Sequence, residues 1–211
     1  DYISMKPLQK NKNISMITSS KRMMPGHGKR MKFVEALREQ LGDNIELFGQ
    51  GIKFVDCKTE AINDFRFTIS VENSQIPNYW TEKFADPILA YTVPFYCGCT
   101  NIGKYFPEDC YIPIDINNKE KAIAKIKEIL ANPQEEYDKR LPALLEARKK
   151  ILDKYNLFTE INRMFGIQIT QNKSIKSVCI KPSNSFKTYK FLHYRLRLTR
   201  LLAKIYITYF K

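Results

Sequence analysis

At 211 residues the chain can hold one full-sized domain and an appendage, and it is too short for two ordinary domains of ~100–200 residues each. Apolar residues at 44%, aromatics at 12% and a mean hydropathy of −0.39 exclude a disordered chain, a collagen-like chain and a polytopic membrane protein. The net charge of +13 is uneven: residues 174–211 carry nine basic residues and no acidic one, so the part before them is nearly balanced.

In chain order, 13–19 (NISMITS) predicts a buried strand, followed by a loop, SKRMMPGHGK, that holds Pro25, Gly26 and Gly28. Residues 30–41 space Phe33, Val34, Leu37 and Leu41 as one helical face, ended by Gly42. A short strand at 45–48 precedes Gly49 and Gly51, and 65–71 (FRFTISV) is the strongest strand signal. A helix at 80–90, a strand at 93–96, a turn with Gly98 and a last strand at 111–114 follow. Residues 118–131 and 134–155 read as long amphipathic helices and 157–165 as a third, and 174–185 as a linker. Strands alternating with helices at this spacing predict an α/β, Rossmann-like, mostly parallel sheet with helices on both faces. The expected organisation is a domain over 1–173 and a basic linker and amphipathic tail over 174–211.

Ligands of such sheets bind beyond the carboxyl ends of the strands, where helix N-termini also gather. The turns after Ser19 and Val71 are therefore the candidate sites. The second reads VENSQIPNYWTEKF, with Glu72, Asn73 and Ser74 at the strand end and Tyr79, Thr81, Glu82 and Lys83 at the next helix start. A diphosphate needs positive charge and free N–H groups, which Lys83 in a first helical turn supplies with that turn's amides. A ribose needs an acceptor for its hydroxyls, and Glu82 is one. Arg30, at the start of the helix after the first loop, is a second phosphate cation from the opposite wall. The plain alternative is a helix capped by Thr81, with Glu82 and Lys83 as its solvated first turn.

The stretch FTISVENS, NYWTEKF and ILAYTVPFYCGCTNIGKYFP, over 67–107, resembles the donor-binding signature of the family 10 glycosyltransferases. These are the α1,3/α1,4-fucosyltransferases that use GDP-fucose. KRMKFVEAL, over 29–37, is similar to the Arg-containing helix that precedes that signature, and the likeness spans about residues 13–130. It implies the carboxy-terminal, donor-binding half of a two-domain, inverting GT-B glycosyltransferase that needs no tightly bound cofactor. By this resemblance Arg30 and Lys83 hold the diphosphate, Glu82 the ribose, and Asn73 and Tyr79 line the donor pocket. Glu72 and Ser74 carry over more weakly, since a strand-end Glu can act by orienting its neighbours. The acceptor would be a saccharide, such as a cell-surface glycan or lipopolysaccharide.

Three departures from the family pattern stand out: Tyr91 before TVP, Cys97 and Cys99 flanking Gly98, and Pro87, which predicts a kink or a later start in the helix after Trp80. In this family the general base belongs to an amino-terminal acceptor domain, which 12 residues before the first strand do not encode. The expectation is a fragment or processed product that binds nucleotide weakly and turns over negligibly alone.

Five cysteines form an odd set without disulfide spacing, and no signal peptide precedes them, which predicts a reducing compartment. Cys97, Cys99 and Cys110 lack the paired spacing of a zinc site and read as buried thiols, so no metal is expected. PGHGKR lacks the frame of a Walker loop. On a helix, 186–211 would set Phe191, Tyr194, Leu198, Leu201, Leu202, Ile205 and Tyr209 on one face, with basic residues beside them. That suits a helix lying on an anionic membrane, hence a cytoplasmic protein peripheral to the inner face of the cell membrane. It equally suits a terminal helix packed on protein. Charge confined to the tail, without a recognition motif, argues against nucleic acid. The competing functional readings are a non-catalytic binding module at the membrane surface that keeps the fold, and a transferase using another nucleotide sugar.

Overall fold

The structure, a computed structural model, describes residues 6–7, 9–18 and 25–165. Five strands, β1 Lys12–Ile17, β2 Glu46–Phe48, β3 Phe65–Val71, β4 Val93–Cys97 and β5 Ile112–Pro113, form one sheet. The strand order is β2-β1-β3-β4-β5 and every pairing is parallel. β3, a run of aromatic and β-branched residues, is buried at every position but Arg66, as a central strand covered on both faces must be.

The helices are α1 Pro25–Leu41, α2 Glu82–Leu89, α3 Lys119–Ala131, α4 Pro133–Asp153 and α5 Leu157–Phe165. From the β1/β3 pair the chain steps outward in opposite directions, through α1 to β2 and through α2 to β4. Right-handed crossovers therefore place α1 and α2 on opposite faces. α3 packs against α1, and α4 packs against α2, β3 and β4. The core runs through Phe67, Phe84, Phe95, Ile126 and Leu144, all fully buried. The ring of Trp80 meets those of Phe84, Tyr105, Phe106 and Tyr155 edge-on.

Several boundaries differ from expectation for local reasons. α1 starts at Pro25, whose fixed φ and missing N–H suit the first helical position, so part of the expected glycine-containing loop is helix. α2 starts at Glu82, because Thr81 is its N-cap: φ is −132°, and the hydroxyl accepts from the Lys83 N–H at 3.3 Å. Pro87 lies inside α2 without delaying its start. β5 shrinks to two residues at the sheet edge, where Pro113 cannot donate to a ladder. Asp1–Phe165 group into one compact unit. The expected boundary at residue 173, the linker and the amphipathic tail lie outside the described residues.

Cys97, Cys99 and Cys110 are buried free thiols, and burial pushes Cys110 up to about 12. Tyr91 is also buried, with φ +56°, in the left-handed turn that leads from α2 to β4. The Arg148 guanidinium lies 4.5 Å over its ring. This departure sits at the amino end of β4, so it bears on packing at the far end of the sheet.

Lys10, only 4% exposed, precedes β1 at that same end. Its ammonium donates to Asn63 O at 2.6 Å, Ala90 O at 2.7 Å and Thr92 Oγ1 at 3.0 Å. Burial, opposed by the charge of Asp64, brings its pKa down from 10.5 to about 7. Between those values the unfolded chain holds the extra proton, so stability rises with pH, by up to about 1.4 kcal/mol per unit. Melting of the protein and of Lys10→Met should show this: from pH 7 to 9 the wild type gains on the order of 2 kcal/mol relative to the variant. Parallel curves would mean that the ammonium stays charged.

Candidate functional site

A cavity of about 320 Å³ opens at the carboxyl ends of β1 and β3, where the strand order reverses. Its walls come from the end of β1 (Met16, Ile17, Thr18), the turn after β2 (Gly49, Gln50) and the end of β3 (Thr68, Ile69, Ser70, Val71). Arg30 of α1, Lys58 of the β2–β3 crossover, and Glu82, Lys83 and Asp86 of α2 supply the charges. The two cations expected from separate segments, Arg30 and Lys83, thus line one cavity.

Arg30 is half-buried, and burial lowers its pKa, although a guanidinium keeps its charge. Its Nε and the Thr18 hydroxyl are buried without a hydrogen-bond partner among the described residues. Buried polar atoms are rarely left so, and two of them on one cavity wall point to a polar ligand.

The far wall is organised by Glu72, whose side chain is wholly buried. Its carboxylate accepts from Thr81 N at 2.9 Å and from the Thr81 hydroxyl at 2.8 Å, and lies 3.7 Å from Lys83 Nζ. The Tyr96 hydroxyl is 3.4 Å away. Glu72 therefore fixes the cap of α2 and the ammonium above it rather than facing the cavity. Gly98 makes room for it: a Cβ there would stand 2.4 Å from Glu72 Cγ.

Lys83 Nζ also pairs with Glu82 Oε1 at 3.2 Å. Burial pushes Glu82 up, but the hydrogen bond and charge of Lys83 hold it below its ordinary value. Asp86, one turn on, is raised by burial despite Lys58 at 3.5 Å. Lys58 reaches Glu82 as well, at 3.9 Å. Carboxylates and cations alternate along this wall, giving acceptors for hydroxyls beside charge for phosphates.

Asn73 and Ser74 are exposed, Tyr79 is half-buried, and none of the three lines the cavity. Their segment arches away through Asn78, at φ +63°, whose side-chain oxygen accepts from Asn101 at 2.8 Å and from the Tyr105 hydroxyl at 2.7 Å. Conversely, Thr18, Gly49, Gln50, Lys58 and Asp86 line the cavity and were not singled out from sequence. The signal for Gly49 was present in FGQG directly after β2. Among the described residues no group of three or more His, Cys, Asp or Glu is placed to hold a metal ion.

A family profile described as glycosyltransferase family 10 (fucosyltransferase) C-term matches residues 7–141. The alpha-(1,3)-fucosyltransferase FucT of Helicobacter pylori is 32% identical over 74 residues, 35% of this chain and 16% of its own length. Alpha-(1,3)-fucosyltransferase B of Drosophila melanogaster is 25% identical over 153 residues, 68% of this chain and 34% of its own length. A crystal structure of an alpha1,3-fucosyltransferase with GDP-fucose superposes with a TM-score of 0.54 at 23% identity, covering 83% of this chain and 52% of that one. That likeness shows a shared α/β, GT-B-type fold. The chain thus spans about half of that solved structure and about a third or less of these curated relatives. With the profile matched from before β1 into α4, over the whole sheet and the cavity at its switch point, the chain belongs to glycosyltransferase family 10 as a carboxy-terminal, fucosyltransferase-type domain.

Proposed function

We propose that this chain is the nucleotide-sugar-binding half of an inverting glycosyltransferase that moves fucose from GDP-fucose to a saccharide acceptor. The observation that carries the reading is the convergence of Arg30 and Lys83 on one cavity at the strand-order reversal, with Glu82, paired to Lys83, on the same wall. The fucosyltransferase names of the relatives, and the GDP-fucose bound in the related crystal structure, support the donor.

In this reading the diphosphate lies between the guanidinium and the ammonium, and Glu82 accepts from the ribose hydroxyls. As an acceptor hydroxyl attacks the anomeric carbon and GDP leaves, negative charge grows on the diphosphate. Cations fixed in advance, in a partly dry cleft, stabilise that developing charge more than the ground state. Glu72 keeps Lys83 at its post. The general base is assigned to an acceptor-binding domain, and such a base contributes ~10²–10⁴-fold. The acceptor is proposed to be a cell-surface glycan or lipopolysaccharide, and the basic composition of 174–211 suits an anionic membrane beside it.

Calorimetry with GDP tests the donor site. The chain should bind GDP in preference to UDP, and Lys83→Ala should weaken GDP at least about tenfold, the loss of one charge-assisted contact. A folded chain that gives no GDP signal would overturn the reading.

A further inference from the structure

Among the described residues, the charges of the cavity do not balance without a further cation. Arg30 and Lys83 share the wall with Glu82 and Asp86, and the buried Glu72 stands 3.7 Å from Lys83. Two cations against three carboxylates is a poor receptor for a diphosphate, which brings further negative charge. Among the described residues, the remaining charged group on the cavity wall is Lys58.

We infer that Lys58 is a third anion-binding cation of this cavity, swinging from Asp86 onto the phosphate oxygens of a nucleoside diphosphate. The inference rests on the donor-site reading above and extends it to the β2–β3 crossover. Three observations support it. Lys58 lines the same cavity as Arg30 and Lys83 while arriving from a different part of the chain. Its contacts with Asp86 and Glu82, at 3.5 and 3.9 Å, are long, and its side chain is 58% exposed. Such exposed pairs hold a side chain weakly. Its flexible four-carbon stem lets the ammonium change partners at little cost.

The departure of Lys58 has a second effect on the same wall. Glu82 is held by both lysines, and a ligand that draws both ammonium groups to its phosphates leaves the carboxylate facing the ribose. Phosphate binding and ribose binding would then be coupled through one residue. A lysine that merely decorates the surface would do neither.

The test compares GDP, GMP and guanosine on the full chain by calorimetry. Lys58→Met should weaken GDP about tenfold and GMP about threefold, leave guanosine unchanged, and Lys58→Arg should restore GDP to within about threefold. Asp86→Asn, which removes the resting partner, should tighten GDP about twofold. Melting temperatures should stay level across the lysine variants, since the side chain is largely exposed. Equal weakening of GDP and guanosine, or GDP affinity in Lys58→Met equal to the wild type, overturns the inference. If GDP binding depends on Lys83 but not on Lys58, only this inference fails. If the folded wild type binds no GDP, the donor-site reading fails and takes this one with it.

Discussion

Replacing Glu72 with alanine is expected to destabilise the protein by about 3–5 kcal/mol and to abolish nucleotide binding. The side chain is wholly buried, and three neighbours depend on it: the Thr81 amide, the Thr81 hydroxyl and the Lys83 ammonium. Alanine leaves part-buried donors unpaired, which costs more than the small net worth of a hydrogen bond. It also frees the Thr81 hydroxyl to turn, and with it the cap that accepts from the Lys83 amide. Glu72→Gln separates the two roles. An amide oxygen still accepts from Thr81, so the loss of stability should fall to less than half, while the charge that holds Lys83 is gone. Urea denaturation of the three proteins checks the order, with alanine least stable, glutamine intermediate and wild type highest. A Glu72→Ala protein within 1 kcal/mol of the wild type would show that the carboxylate does not organise this wall.

What the sequence revealed of this site follows the range of its signals. FRFTISV is a run that only a covered central strand accommodates, and its bounds were readable to the residue. Thr81 before Glu82 and Lys83 is a cap signal whose chemistry is local, and it placed Lys83 at a helix start. Arg30 was found because the helix after a strand end lies beside the site in this class of sheet, although it stands in the second turn of α1 and not, as expected, at its start. The start of α1 was hidden, since Gly26 and Gly28 read as loop although Pro25 suits a first helical position. Asp86 follows Glu82 by four positions and so shares its helix face, a relation present in the sequence and not used. Lys58 carries no such local mark. Its approach depends on how a crossover with only a short 3₁₀ turn folds back over β1 and β3, which no spacing within the segment states. Asn73, Ser74 and Tyr79 illustrate the reverse case. Adjacent in sequence to Glu72 and Lys83, they are carried off the cavity by the left-handed turn at Asn78 and its ties to Asn101 and Tyr105.

Gly49→Ala is the second large effect expected, about 3–4 kcal/mol of stability together with loss of GDP binding. Gly49 closes β2 at φ +127°, a conformation that an L side chain rarely adopts. Space is lacking as well: a Cβ would stand 1.7 Å from the carbonyl oxygen of Thr18. That carbonyl cannot retreat freely, because the Thr18 amide is bonded to Phe48 O at 2.8 Å and β1 is held by strands on both sides. The turn must therefore open, and both residues line the cavity, so the end of β1 would shift relative to Arg30. Gly42→Ala is the matched control. Its φ is +52° with open space around the added carbon, so it should cost only about 1–2 kcal/mol and leave GDP affinity intact. Denaturation and GDP calorimetry on both variants distinguish a general cost of left-handed backbone from the close approach at the cavity wall. If the two variants lose equal stability and bind GDP alike, the contact between Gly49 and Thr18 does not shape the site.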